Sequence, residues 1–182
     1  MVCPYEIADF AAFSPSSLPI GRHDSPAVIL AENPSDELAF YFWEEAGPEA
    51  WYRKDDGFDL TLRDRFGTLW DSAATGACNH WARSPRGALA LIILLDQFPR
   101  NIYRGTPRAF AQDGKALTVA RQALNAGHDA ALPAFQRTFL YLPFEHSEEL
   151  ADQHRAVELI SALGHAEYTQ YAIAHLDVIE RF

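Results

Sequence analysis

An uninterrupted run of eight apolar residues, ALALIILL at 88–95, constrains this chain more than any other feature. An element that is apolar on every side belongs in the middle of a core. The run stops at Asp96, and the segment DQFPRNIYR at 96–104 then brings together one acid, two amides and two arginines. Charged groups at the edge of a core are costly unless they are paired or used. The sequence therefore predicts a polar site where the apolar run ends.

Composition narrows the class of protein. The 182 residues carry 15 basic and 25 acidic side chains, and this net charge of -10 argues against a nucleic-acid partner. No apolar run approaches the roughly 20 residues that span a bilayer, and the first ten residues lack the features of a signal peptide, so we expect no membrane partner. The two cysteines have neither metal-site spacing nor the density of a disulfide scaffold, which favours a reduced, cytoplasmic setting.

Proline content and periodicity predict two regions. Residues 1–34 contain five prolines and are predicted to form an irregular N-terminal arm, whereas residues 35–182 are predicted to form a single all-helical domain. Start and stop signals place about seven helices at 35–47, 56–77, 84–99, 106–127, 133–142, 147–164 and 166–181. In this assignment Ser84 caps the third helix and Pro99 ends it. Short connections favour antiparallel neighbours, and both a closed bundle and a stack of helical hairpins fit the pattern.

The end of the apolar run predicts a ligand site. Arginine presents a planar fork of donors that suits a carboxylate or a phosphate. The residues that we assign to ligand binding are Asp96, Gln97, Arg100, Asn101, Arg104 and Gln153, with Trp43 and Trp51 as walls. The alternative is structural: Asp96 pairs with an arginine, and the amides satisfy backbone groups at the end of the helix.

A second polar motif, HSEELADQ at 146–153, predicts acid–base chemistry. His146 is the candidate general base, because histidine changes protonation state near neutral pH. Glu148 and Asp152 complete the candidate catalytic set, since either carboxylate could orient the imidazole. The same residues also form a sound helix start, and that alone could explain them. His175, on the apolar side of the last helix, is expected to be a hydrogen-bonded core residue.

Other standard site motifs are missing from the sequence. We find no phosphate-cradling glycine loop, no Cys-x-x-Cys, no His-Glu-x-x-His and no Gly-x-Ser-x-Gly. We therefore predict no cofactor and no metal. The oligomeric state is left open.

Several linked segments resemble a known family. These are LALIILLDQFPRNIYRGTPRAFAQD, LPFEHSEELADQ and the upstream FYFWEEAGPEAWYRKDDGFD. Together they resemble the bacterial family called domain of unknown function 924. The resemblance implies an all-helical, tetratricopeptide-like array of helical hairpins and brings no function with it. It also implies a Gly-Arg-Phe-Pro-His-Arg-Asn segment beyond the equivalent of Phe182, which would add basic and histidine side chains to the site.

These observations leave three functional hypotheses. The leading one is binding of an anionic small molecule or a peptide carboxylate by Arg100 and Arg104. The alternative is a hydrolase-like enzyme that uses His146 with Glu148 or Asp152, in which Arg100 stabilises negative charge. The third is a protein–protein interaction module that uses a helical surface. Both site hypotheses require the two polar motifs to meet in space.

Overall fold

The computed structural model describes residues 34–47 and 54–182, except for the side chains of Phe40, Trp43 and Glu44. The described residues form seven helices and no strand, which confirms the predicted all-α class. The helices are α1 (residues 34–46), α2 (Asp56–Thr75), α3 (residues 85–102), α4 (Asp113–Asn125), α5 (Ala134–Glu145), α6 (Leu150–Ser161) and α7 (Ala166–Ile179). Three short 3-10 turns lie at Asn79–Arg83, Pro107–Phe110 and Asp129–Ala131. Residues 1–33, and with them the predicted N-terminal arm, lie outside the described part.

Local capping explains where α2 and α3 begin. The Asp55 carboxylate accepts hydrogen bonds from the backbone N–H groups of Gly57 and Phe58, at 2.9 and 3.1 Å. Ser84 caps α3 as predicted, because its hydroxyl accepts from the N–H of Gly87 at 3.2 Å. Each cap satisfies donors that the first turn of a helix leaves unpaired.

The prediction that Pro99 ends the third helix is wrong. Helix α3 runs as Pro85–Ile92, continues through a π-helical segment Ile93–Gln97, and finishes as Phe98–Ile102. In the π segment the N–H of Phe98 donates to the carbonyl of Ile93, five residues back. Proline normally breaks a helix because it lacks an N–H and crowds the preceding turn. The widened turn makes room for the ring and places Pro99 in the first turn of the final segment.

Other boundaries also differ from the predicted ones. Pro107 opens only a 3-10 turn, and α4 begins at Asp113. Helix α6 begins at Leu150 rather than at Ser147, because Ser147 and the two glutamates after it form the connection. Helix α5 continues through Pro143 to Glu145.

Helix α3 lies at the centre of the fold. It packs against α1, α2, α4 and α5, and every residue of the apolar run 88–95 is buried. Successive helices from α4 to α7 pack on one another, and the buried core contains side chains from all seven helices. No helix in the described residues is long and apolar enough to cross a membrane. The tetratricopeptide-like arrangement stays a prediction.

This packing brings the polar residues at several helix ends together. The last turns of α3, the first residue of α4 and the end of α5 lie at one edge of the core, and α7 packs beside α5 and α6. The side chains at this edge form the candidate site.

Candidate functional site

The structure brings the two polar motifs into direct contact. Asp96 lies in the π-helical segment of α3 and its side chain is fully buried, while His146 directly follows α5 and its side chain is 13% exposed. The imidazole Nδ1 of His146 lies 2.8 Å from Oδ1 of Asp96. Single π turns within helices are frequent at functional sites. Here the π turn carries the carboxylate that meets the histidine.

The surroundings of Asp96 keep it ionised. Burial alone would raise its pKa, but Arg100 and His146 outweigh that effect and lower the pKa to about 2. Arg100 Nη1 is 3.2 Å from Asp96 Oδ1, and the Gln97 amide donates to Oδ2 at 2.5 Å. An ionised carboxylate can only accept, so Nδ1 of His146 is the donor in this bond. Neutral His146 then carries its lone pair on Nε2.

Arg100 links Asp96 to α4. Its two terminal nitrogens each donate to one carboxylate oxygen of Asp113, both at 3.0 Å, and its side chain is only 9% exposed. Burial raises the pKa of the Asp113 carboxyl, although Arg100 opposes this shift. The ring of Phe110 lies beside the guanidinium, 5.4 Å from Cζ to the ring centroid. Arg100 is therefore engaged by two carboxylates of the protein itself.

A second carboxyl–imidazole pair lies next to the first. Glu145, the last residue of α5, is 3% exposed, and its Oε1 is 3.4 Å from Nε2 of His175 in α7. The rings of His146 and His175 are 6.2 Å apart at their centroids and inclined by 54°. Burial, with a contribution from the negative charge of Asp96, raises the pKa of Glu145 to about 7. Burial, His146 and Arg100 lower the pKa of His175 to about 4.

Glu145 and Asp113 were not predicted as site residues, and His175 was expected to be a core residue. One signal for Glu145 was available: it is a lone acid directly after the apolar segment YLPF, just as Asp96 follows ALALIILL. Asp113 gave no such signal, because an acid in the first turn of a helix needs no further explanation.

Two of the predicted ligand-binding residues belong to a different cluster. The amide of Asn101 donates to Oδ1 of Asp59 at 2.8 Å. Arg104 donates to both carboxylate oxygens of Asp59, at 2.9 and 3.1 Å. These bonds fasten the end of α3 to α2. Of the two predicted walls, Trp51 lies outside the described residues, and so does the side chain of Trp43.

The remaining residues of the second motif hold the α5–α6 connection. Asp152 accepts from Arg121 of α4 at 2.6 and 2.8 Å, and from the Ser147 hydroxyl at 2.8 Å. The Gln153 amide donates at 2.6 Å to the carbonyls of both Glu145 and Ser147. Glu148 is exposed. The carboxylate on His146 Nδ1 is therefore Asp96, rather than the expected Glu148 or Asp152.

The chemistry that this cluster supports is proton transfer. The cluster contains two imidazoles, three carboxyl groups and Arg100, and two of the carboxyl groups have strongly shifted pKa values in opposite directions. Such divergence is a mark of functional sites, although structural ion networks also produce it. Within residues 34–47 and 54–182, no three histidine, cysteine or acidic side chains are placed so that they could together hold a metal ion.

Comparison with known proteins identifies the family of this chain. The model of a family described as bacterial protein of unknown function, domain of unknown function 924, matches residues 38–182. The chain belongs to this family. The match includes every residue of the site just described. None of the curated proteins compared with this family member matches it.

A solved structure agrees with the fold. It is that of a protein of unknown function from Agrobacterium tumefaciens, 40% identical in sequence, with a TM-score of 0.78. The alignment covers 81% of this family member and 83% of that chain. The fold is therefore shared, and neither comparison assigns an activity.

Proposed function

We propose that the protein is an acid–base enzyme of the hydrolase type, with His146 as its general base. The observation that carries this proposal is the 2.8 Å bond from His146 Nδ1 to the buried, ionised Asp96. A carboxylate on one ring nitrogen fixes the tautomer and orients the other nitrogen for proton transfer. In this proposal Nε2 of His146 removes a proton from the attacking water.

Access supports the proposal. A general base must reach its substrate, and a histidine sealed inside the core would have no such role. The side chain of His146 is 13% exposed and that of neighbouring His175 is 31% exposed. The pair therefore lies at the margin of the core, with buried carboxyl groups behind it.

The role of Arg100 changes from the one expected from the sequence. Its guanidinium is held between Asp96 and Asp113, so charge stabilisation of a substrate is not its best-supported role. We assign Arg100 to keeping Asp96 ionised, which in turn keeps Nδ1 of His146 as the donor. Asp96 also replaces Glu148 and Asp152 as the residue that orients the base.

The other two functions have less support. An anion clamp requires unoccupied arginine donors, but Arg100 is bound to Asp113 and Arg104 is bound to Asp59. Arg104, with 35% of its side chain exposed, is the better remaining contact for an anionic metabolite or a peptide carboxylate. An interaction module does not account for the convergence of titratable groups. A cytoplasmic setting remains part of the proposal, and the free, buried Cys78 is compatible with it.

A panel of chromogenic esters and amides tests the proposal with matched histidine variants. We expect His146→Gln to lower kcat/KM on any turned-over substrate by about 10²–10⁴-fold, the usual contribution of general acid–base catalysis. His154→Gln is the control, because His154 lies on α6 and its side chain is 57% exposed. Turnover by His146→Gln at the native rate would contradict the proposal.

A binding screen tests the rival function. Thermal shifts are measured with anionic metabolites and peptides for the native protein, Arg100→Ala and Arg104→Ala. Saturable binding that is lost in Arg104→Ala, without any hydrolysis, would favour the anion-binding function over the enzyme.

A further inference from the structure

We infer that His175, supported by Glu145, is a second catalytic residue that acts as the general acid opposite His146. This inference rests on the proposed function and names the partner of the base at the same site. It assigns the substrate class as esters or related acyl compounds whose leaving group must be protonated before it departs.

The geometry places two carboxyl–imidazole units side by side. His146 is hydrogen-bonded to the buried Asp96 at 2.8 Å, and Nε2 of His175 lies at ion-pair distance, 3.4 Å, from the buried Glu145. The two units share the end of α5, where Glu145 and His146 are consecutive residues; Asp96 of α3 completes one unit and His175 of α7 completes the other. With 6.2 Å between ring centroids, one small substrate can contact both rings.

The electrostatic surroundings make the two units unequal. Asp96 has the guanidinium of Arg100 beside it, whereas among the described residues the groups that can offset a charge on Glu145 are the imidazoles of His175 and His146. The other groups around the second pair are Asp96 and Arg100 from α3, Asp113 bound to Arg100, His146 after α5, and the neutral Gln153 of α6. The first carboxyl is thus kept charged, and the second is not.

The protonation states follow from this difference. The pKa of Glu145 is raised to about 7 and that of His175 is lowered to about 4. Between these values Glu145 is protonated and His175 is neutral, with one proton on its ring. General acids and bases in one site work when their environments separate their proton affinities in this way. One imidazole can then accept a proton while the other unit has one to give.

The proposed step conserves atoms and protons. A water oxygen forms a bond to the acyl carbon of the ester, and its proton goes to Nε2 of His146. The bond between the acyl carbon and the leaving oxygen breaks. As that oxygen takes the proton from Nδ1 of His175, the proton of Glu145 moves to Nε2 of the same ring, so the imidazole stays neutral throughout. The products are the carboxylic acid and the alcohol, and exchange with solvent restores both pairs.

Leaving-group dependence tests this assignment. Phenyl acetate needs a proton on its poor leaving group, whereas p-nitrophenyl acetate hardly does. We expect His175→Gln to reduce kcat/KM for phenyl acetate by at least about 10²-fold and to change that for p-nitrophenyl acetate by less than about threefold. His146→Gln should slow both esters, and His154→Gln should slow neither.

The outcomes separate the two proposals. If His146→Gln slows both esters and His175→Gln has the same effect on each, the acid assignment is wrong and the base assignment stands. If neither histidine matters, or the native protein hydrolyses neither ester, both assignments are overturned for this substrate class.

Two further measurements do not depend on the histidine variants. The first uses the native protein alone: the rate with phenyl acetate should fall above about pH 7, while the rate with p-nitrophenyl acetate should not. The second is an NMR titration of the His175 ring. The native ring should sense a transition near pH 7, from loss of the Glu145 proton, which Glu145→Gln abolishes. Identical curves for the two proteins would overturn the pairing.

Discussion

His146 Nδ1 and Asp96 Oδ1 are 2.8 Å apart although 50 positions separate the two residues in the chain. The bond joins the π-helical segment of α3 to the residue that directly follows α5. Asp96 is compensated by Arg100 and by this imidazole, so a charge at the edge of a dry core becomes tolerable. The same bond gives His146 a defined tautomer.

Removing the charge of Asp96 should lower the hydrolytic rate by a much larger factor than a modest loss of stability would explain. Asp96→Asn keeps the shape, but it loses the anionic acceptor for His146 and Arg100. We expect the free energy of unfolding to fall by about 1–3 kcal/mol and any hydrolytic kcat by about 10²–10⁴-fold. Urea denaturation and steady-state kinetics measure the two effects. Glu148→Gln, at an exposed position, is the control and should change stability by less than about 0.5 kcal/mol.

Arg100 should matter far more to stability than an exposed arginine does. Arg100→Met leaves Asp96 and Asp113 without their cation, and breaking one side of a buried ion pair costs roughly 3–5 kcal/mol. Arg155→Met, which removes only an exposed pair with Glu158, should cost less than about 1 kcal/mol. Denaturation of both variants checks this. Equal losses would show that the Arg100 network is not a buried, coupled unit.

Glu145 should weaken the fold as the pH rises. Its folded pKa of about 7 lies above the ordinary 4.5, so its favourable burial is fully present below about pH 4.5 and is lost as the pH rises through 7. A shift of this size corresponds to about 3 kcal/mol. Glu145→Gln should therefore be more stable than the native protein at pH 8 and similar at pH 4.5. A variant that is less stable at pH 8 would contradict the buried, neutral carboxyl.

Asp96 should produce the opposite dependence at low pH. Its folded pKa of about 2 lies below the ordinary 3.8, so its contribution is present above pH 3.8 and disappears as the pH falls towards 2. The amount is about 2 kcal/mol. The stability of Asp96→Asn should be flatter than that of the native protein in this interval. Thermal unfolding at closely spaced pH values measures the difference, and parallel curves would exclude the assigned shift.

The hydrophobic pattern of the sequence correctly predicted the buried central helix and the position where it begins. The run 88–95 had to be buried because nothing in it could face water, and the predicted cap at Ser84 follows from the unpaired backbone donors of a helix start. Pro99 was misjudged because a proline rule considers only the regular α-helix. The π segment that accommodates it depends on packing and leaves no mark in the sequence.

The site could be predicted from the sequence only where a polar residue comes soon after an apolar segment. Asp96 and His146 follow long apolar segments, and their position at the core edge was therefore visible in the sequence. The pairing of His146 with Asp96, rather than with its sequence neighbours Glu148 and Asp152, depends on how α3 and α5 cross. The ion pair of Arg121 with Asp152, 31 positions away, likewise depends on the relative position of α4 and α6 and could not be predicted from the sequence.

The tautomer of His146 tests the central claim most directly. Long-range proton–nitrogen NMR correlations distinguish the two neutral forms of an imidazole, and they require no substrate. In the neutral ring of the native protein we expect the proton on Nδ1 and the lone pair on Nε2, with Asp96→Asn losing this preference. A native His146 that carries its proton on Nε2 would contradict the assignment of this histidine as a base oriented by Asp96.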